Sequence, residues 1–538
     1  MHFPSFAISI SAMLSCADGL EVMFEANSPL PILRLPYGAW RAATYNNASD
    51  IFVFRNIRYA ANPTGALRWA KPAVPEYIDT LQDGTYGHNC VQVIPPPPFD
   101  TSPIYKHLIA NAAEDCLFLD VYVPGKALRD TNLQLPVITW IHGGGFVSGS
   151  KDEFPGVFNG TNLVQRAHNN AIVVAINYRL GGFGFLTGRT VEIEATPNAG
   201  LHDQRAALAW IQSYVSLLGG DPADVSVWGE SGGASSILYH LVAGGGKLDP
   251  LFHKAVVLSP ASGQSVDRMG FLERKFESFA SFAGCGKSVT MDSITCLRSA
   301  NLSALTEANI QAFPGATPAP DGSFIHRNPI LEFEQGNFWK GLKLLIVSHV
   351  ANEGQLFSPH PSPTNFINDT LARYFPSYAQ DQLSLLNTYY IDRYNDNKTR
   401  RVESFMRDLN VGCNIRAVVE AYAQITRILQ YSATPGTHGS DMTALWYDAA
   451  SCNITNPIWA TYQRYILAYG LLGDLAAEPH KPSLLVWPKV AGVKAEEFQN
   501  LMDVSDAGFR LTNDHQILQS TFELWKNALW ETTLRGGY

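Results

Sequence analysis

No run of lysine and arginine occurs anywhere in the 538 residues, so the footprint of a nucleic-acid-binding surface is missing. No uninterrupted apolar stretch approaches the roughly 20 residues that span a bilayer, and stable membrane insertion is not expected. Charged residues are few, 16% against 46% hydrophobic, a balance that excludes a disordered chain. Internal repeats and Ser/Gly-rich linkers are lacking, and the one low-complexity run is Pro95–Pro98. Length alone would allow three or four domains; without a linker, the expectation is one catalytic domain over 18–538 with long insertions. The net charge of −9 favours solubility and says nothing about fold.

Cysteine is scarce as well, with seven residues: Cys16, Cys90, Cys116, Cys285, Cys296, Cys413 and Cys452. The first lies in a short, mildly apolar N-terminus that ends in small residues and has no basic leader. It reads as a signal peptide over 1–17, cut after Ala17, or else as a buried N-terminal strand. Cleavage would leave six cysteines, an even number. Six N-x-S/T sequons, at Asn47, Asn159, Asn301, Asn368, Asn397 and Asn453, point the same way. Together these features predict a secreted glycoprotein from an oxidising compartment.

What is present is an alternation of strand-like apolar runs with helical spacing. Leu135–Ile141, Ala171–Asn177, Val225–Trp228 and Leu344–Val350 read as strands, and Asp203–Leu218 as a helix. Near-continuous apolar strands between helices indicate a large, mostly parallel central sheet covered on both faces, an α/β fold. Gly229-Glu230-Ser231-Gly232-Gly233 sits directly between the Val225–Trp228 strand and a helical pattern. G-x-S-x-G in that setting is the nucleophile elbow of α/β hydrolases, with Ser231 as nucleophile. Its glycines are steric: side chains beside the serine would collide with the neighbouring strand and helix.

His142-Gly143-Gly144-Gly145-Phe146 follows the Leu135–Ile141 strand. Glycines there let backbone N–H groups approach an oxyanion, together with the N–H of Gly232. A serine needs a base, and the base an acid, in the chain order serine, acid, histidine. Glu353 lies in a turn after the Leu344–Val350 strand, and His438 in a small-residue loop ending at Asp441. His349 and His515 are the remaining candidates for the base.

These motifs resemble the type-B carboxylesterase/lipase family, which includes cholinesterases and secreted fungal esterases and lipases. The likeness runs from about Phe54 to beyond Trp487. It includes Ile57-Arg58-Tyr59-Ala60, Gly65–Trp69, Glu114-Asp115-Cys116-Leu117, Asn198–Arg205, and Gly219-Gly220-Asp221-Pro222 leading to the elbow. The resemblance implies a Ser231–Glu353–His438 triad, oxyanion donors at Gly144, Gly145 and Gly232, and a buried supporting carboxylate at Glu230. It also implies disulfides Cys90–Cys116 and Cys285–Cys296, leaving Cys413 to Cys452, either of which could instead be free. The sequence departs from the family at Asn56 and Arg58, where glycine and proline are usual, and at Gly232, where alanine is commoner.

The expected reaction is hydrolysis of a small carboxylic ester through an acyl-enzyme, a chemistry that calls for neither metal nor organic cofactor. Pro95–Pro98, in the loop between Cys90 and Cys116, suggests a stiff rim rather than a large flap. Soluble or short-to-medium acyl esters are therefore expected, with an interfacial lipase as the alternative. A catalytically dead binding protein on the same fold is disfavoured by the complete triad.

Overall fold

The computed structural model describes residues 20–535, apart from 26–27, 29, 94–102, 153–158, 264–269, 287–291, 314–315, 376–379, 395–396, 449–455 and 475–483. The expected leader, the Pro95–Pro98 run, Cys452 and Asn453 lie outside the described residues.

Three short strands, β1 (Glu21–Met23), β2 (Ile32–Leu35) and β3 (Gly38–Arg41), form a small antiparallel sheet. The main sheet has eleven: β4 (Thr44–Asn46), β5 (Ile51–Arg58), β6 (Phe118–Pro124), β7 (Leu135–Ile141), β8 (Ile172–Ile176), β9 (Gly220–Glu230), β10 (Lys254–Leu258), β11 (Leu344–Val350), β12 (Thr426–Tyr431), β13 (Leu501–Ser505) and β14 (Gly508–Thr512). Its order is β14-β13-β12-β11-β10-β9-β7-β8-β6-β5-β4. From β8 through β13 neighbouring strands are parallel; β6, β5 and β4 on one side and β14 on the other run antiparallel.

The parallel strands are apolar on successive residues because both faces are covered. In β8, Ile172, Val174 and Ile176 enter one hydrophobic cluster while Val173 and Ala175 enter the other. Period-2 alternation sends neighbouring side chains to opposite faces. The register sets Trp140 of β7 beside Trp228 of β9, and Leu258 of β10 beside Glu230. The segments leaving the carboxyl ends of β7, β9, β11 and β12 therefore emerge on one edge, where open α/β sheets place their sites.

The departures from the family pattern have local causes. Asn56 sits at a bulge in β5 with φ 54°, a left-handed backbone that suits glycine and that asparagine tolerates. Its Nδ2 donates to Gly84 O at 2.8 Å. Arg58 is bidentate to Asp115, at 2.5 and 2.8 Å, with its guanidinium over the Phe118 ring.

Candidate active site

Ser231 follows the last residue of β9 and caps the helix Gly232–Gly246, with φ 54° and ψ −123°. A non-glycine residue there is strained, and the surroundings hold it. Its N–H donates to Leu258 O at 2.9 Å, and its carbonyl accepts from Ser235 and Ala261. Gly233 shows why the elbow needs glycine: a Cβ there would run into the carbonyl oxygen of Ile141 at the end of β7. The nucleophile turn and the strand feeding the glycine cluster are thus pressed together.

That cluster leaves β7 through His142, whose ring stacks on Tyr178 at 4.4 Å and is buried, which pushes its pKa down to about 4. Tyr178 donates its hydroxyl to the His142 carbonyl at 2.9 Å. Gly144 and Gly145 have φ 90° and 60°. A Cβ on Gly232 would lie 3.3 Å from Gly145 N and 3.2 Å from Phe146 N, so the two segments face each other. The N–H groups of Gly144, Gly145 and Gly232 meet no acceptor among the described residues. Unpaired backbone donors clustered beside a buried serine are what an oxyanion hole requires.

Glu353, buried after β11, accepts the Val350 N–H at 2.8 Å on Oε1. Its Oε2 lies 2.6 Å from His438 Nδ1. The two loops are locked together by backbone: Asn352 N–H donates to Gly436 O at 2.8 Å, and Asn352 Nδ2 to Pro435 O at 3.0 Å. On the other side of the ring, Glu230 Oε1 stands 3.3 Å from His438 Nε2. Phe357 packs edge-on against the imidazole, centroids 4.8 Å apart, and with Ser231 lines a cavity of about 580 Å³.

Burial alone would lower the pKa of His438, but Glu353, then Glu230 and Asp441, hold it up at about 9. Glu353 is resisted by burial yet held below its ordinary value by His438. Asp441, three residues after His438, was not singled out by motif. Burial, then repulsion from Glu353, raises its carboxyl to about 7 against the pull of His438. Its nearness to the histidine in sequence was the available signal; its burial was not readable.

The other candidate histidines are elsewhere. His349 is buried against Asp514, with Nε2 3.1 Å from Oδ2, and His515 is exposed beside Glu497. Trp69, Trp140 and Trp228 are core residues; Trp69 donates to Gly182 O and Trp228 to Ser226 Oγ.

Cys90–Cys116 and Cys285–Cys296 are bridged. The implied Cys413–Cys452 pairing is corrected on its first half. Cys413 opens a helix, Cys413–Ala421, inside the core and carries a free buried thiol. Asn47, Asn301, Asn368 and Asn397 are exposed, and Asn159 is half-buried. Asn159, Asn301 and Asn397 cap helices through Oδ1.

Residues 30–453 match the sequence model of the carboxylesterase family, most of the chain. The chain belongs to the carboxylesterase family. Over 533 residues, 98% of both chains, it is 41% identical to a secreted lipase of Arthroderma benhamiae. It is 29% identical to carboxylesterase patB of Aspergillus clavatus, over 91% of this chain and 94% of that one. Among solved structures, EstA of Aspergillus niger superposes with a TM-score of 0.77 at 24% identity, covering 94% of this chain and 99% of the other. The fold is thus that of the α/β hydrolases, and in this carboxylesterase-family chain the elbow, glycine cluster, acid and histidine all leave the carboxyl ends of strands.

Proposed function

We propose that this chain is a secreted carboxylic ester hydrolase in which Ser231 attacks, His438 carries the proton and Glu353 orients the imidazole. The observation that carries this reading is the position of His438. Glu353 holds Nδ1 at 2.6 Å, and Nε2 faces Glu230, the residue immediately before the nucleophile. In the cycle, His438 Nε2 takes the Ser231 hydroxyl proton as Oγ bonds the ester carbonyl carbon. The backbone N–H groups of Gly144, Gly145 and Gly232 receive the negative oxygen, each worth about a hundred- to a thousand-fold in rate. Collapse expels the alcohol, which takes the proton from His438; water, deprotonated by the same nitrogen, then releases the acid and restores Ser231.

Secretion is supported by the two disulfides, by exposed sequons and by similarity to a chain named a secreted lipase. Soluble or short-to-medium acyl esters are favoured because the segment just after Cys90 is anchored beside the oxyanion loop. Val93 N–H donates to Val147 O at 2.8 Å, and Gln92 both accepts from and donates to Gly149 beside the oxyanion loop. A lipase acting at interfaces is the second reading, favoured by the Arthroderma relative's name.

Hydrolysis of p-nitrophenyl esters from C2 to C16 and of a triglyceride emulsion, by wild type and Ser231→Ala, tests both. The expected result is turnover peaking at short to medium chains and lost by about 10⁴-fold or more in the folded variant. A folded wild type inert on every ester, or an undiminished Ser231→Ala, overturns the proposal. Activity that jumps once the substrate exceeds its solubility replaces the esterase reading with the lipase one.

A further inference from the structure

The cavity beside Ser231 has a charge pattern that the general reaction does not use. One of its walls is a stripe of the helix Phe271–Phe282, in which Phe271, Arg274, Lys275, Ser278 and Phe282 face the cavity. Those positions follow the i, i+3, i+4, i+7, i+11 spacing of one helix face. The opposite face, Leu272, Phe276, Phe279 and Ala280, is buried in the core. Of the acids on this helix, Glu273 turns away to bond Thr190, and Glu277 does not line the cavity. A third cation, Arg373, enters from the helix Phe366–Tyr374. Among the described residues no carboxylate lines the cavity, in a chain where acidic residues outnumber basic ones 48 to 39.

The catalytic floor has the opposite sign. Glu353, Glu230 and Asp441 all lie close enough to His438 to act on its charge. A bound ester thus spans a gradient, with carboxylates behind the histidine and cations on the outer wall. An anion at the reacting end would be repelled by the floor, whereas one at the far end of the molecule could meet the guanidiniums; Phe271, Phe282 and Phe357 give the cavity apolar lining.

We infer that this site selects esters that carry an anionic group, such as a carboxylate, several bonds from the scissile carbonyl, held by Arg274 and Arg373. The inference rests on the reading of Ser231 as the nucleophile. Lys275 is engaged elsewhere, its ammonium 4.2 Å over the Phe313 ring and lowered by burial to about 8; Arg274 and Arg373 are exposed.

Two matched pairs test it: mono-p-nitrophenyl adipate against p-nitrophenyl hexanoate, and 4-carboxyphenyl butyrate against phenyl butyrate. The readout is the ratio of kcat/KM within each pair, for wild type and for the Arg274→Gln/Arg373→Gln double variant. The wild type is expected to favour the anionic ester of at least one pair by about ten-fold, the scale of a charge-assisted hydrogen bond. In the variant, and in wild type at 0.5 M salt, that ratio should fall toward one. Neutral esters cleaved as well as or better than anionic ones in both pairs, or a preference that survives the double substitution, overturns the inference while ester hydrolysis stands. A folded wild type that cleaves none of the four overturns the reading of the site, and this inference with it.

Discussion

Glu230 Oε1 lies 3.3 Å from His438 Nε2, on the ring nitrogen opposite the one that Glu353 holds. The imidazole is therefore flanked by carboxylates on both edges, and its charged form is favoured even though its side chain is only 4% exposed. An opposite charge at this distance raises a histidine pKa, and removing it lets burial win. Glu230→Gln should move the acid limb of the kcat/KM profile to lower pH by on the order of one unit. It should also lower kcat, because the imidazolium formed during attack loses a counter-charge. A pH–rate profile of the two proteins checks this; an unmoved limb would mean that Glu230 does not sense the histidine's charge.

Glu353 acts on the other nitrogen. Its Oε1 is spent on the Val350 N–H, and only Oε2 faces His438. Glu353→Gln keeps the shape but puts an amide where the carboxylate stood, so the imidazole loses both its orienting acceptor and its counter-ion. A loss in kcat of about 10⁴-fold is expected with little change in KM. Steady-state kinetics alongside circular dichroism separates this from misfolding. A loss below ten-fold would remove Glu353 from the triad.

The central strands could be read from sequence because burial on both faces makes them continuous apolar runs. Leu135–Ile141 and Leu344–Val350 coincide with β7 and β11. β9 begins at Gly220, five residues before the apolar stretch at Val225, because Leu135 already pairs with Gly220. The antiparallel margins were not legible: β14 has no buried residue, and β4 is short and polar. At the site, Ser231 and the glycines are fixed by local motif, and Glu353 and His438 by chain order. Arg274 and Arg373 had no such signal, since the cleft they share is assembled from helices about a hundred residues apart.

Asp441 gives stability a pH dependence that its removal should flatten. Its folded pKa of about 7 exceeds its ordinary 3.8, so across that window the folded state holds a proton that the unfolded state releases. Stability must then fall as pH rises from about 4 to 7. His438, raised from 6.5 to about 9, continues the decline: its contribution is complete below 6.5 and is lost as pH climbs through 9. Glu353, held low, works in reverse and costs stability only as pH drops through its folded value. Asp441→Asn should therefore melt on the order of a few degrees above wild type at pH 7.5, with the gap closing near pH 4. Scanning calorimetry at both pH values decides it; an equal gap at both would show that Asp441 stays ionised.

Cys413 is buried, and both burial and the neighbouring Asp408 raise its thiol pKa well above the ordinary value. A buried neutral thiol is inert. Ellman's reagent should miss it in the native protein and find it in guanidinium without reductant, and Cys413→Ala should remove one equivalent. A count that rises by one in Cys413→Ala under denaturing conditions, where Cys452 would have lost its partner, would restore the bridge to Cys452.

Gly232 and Gly233 are adjacent, yet alanine should act on them very differently. At Gly233 a Cβ would collide with the Ile141 carbonyl, and backbone of a central strand cannot yield. Gly233→Ala should therefore be insoluble or inactive, in the severe range for a single substitution. At Gly232 the added Cβ would sit 3.2 and 3.3 Å from Phe146 N and Gly145 N, a tight contact that a shift of a few tenths of an ångström relieves. The residue is the first of a helix, where alanine restricts the unfolded chain and stabilises by about 0.4–1 kcal/mol. The backbone N–H survives the change, but the glycine cluster must move slightly away from it. Gly232→Ala should thus melt higher than wild type while kcat drops by less than about ten-fold, since no oxyanion donor is removed. Thermal melts and kcat on one ester test the pair. A drop of a hundred-fold or more in Gly232→Ala would mean that even this small displacement breaks the donor geometry.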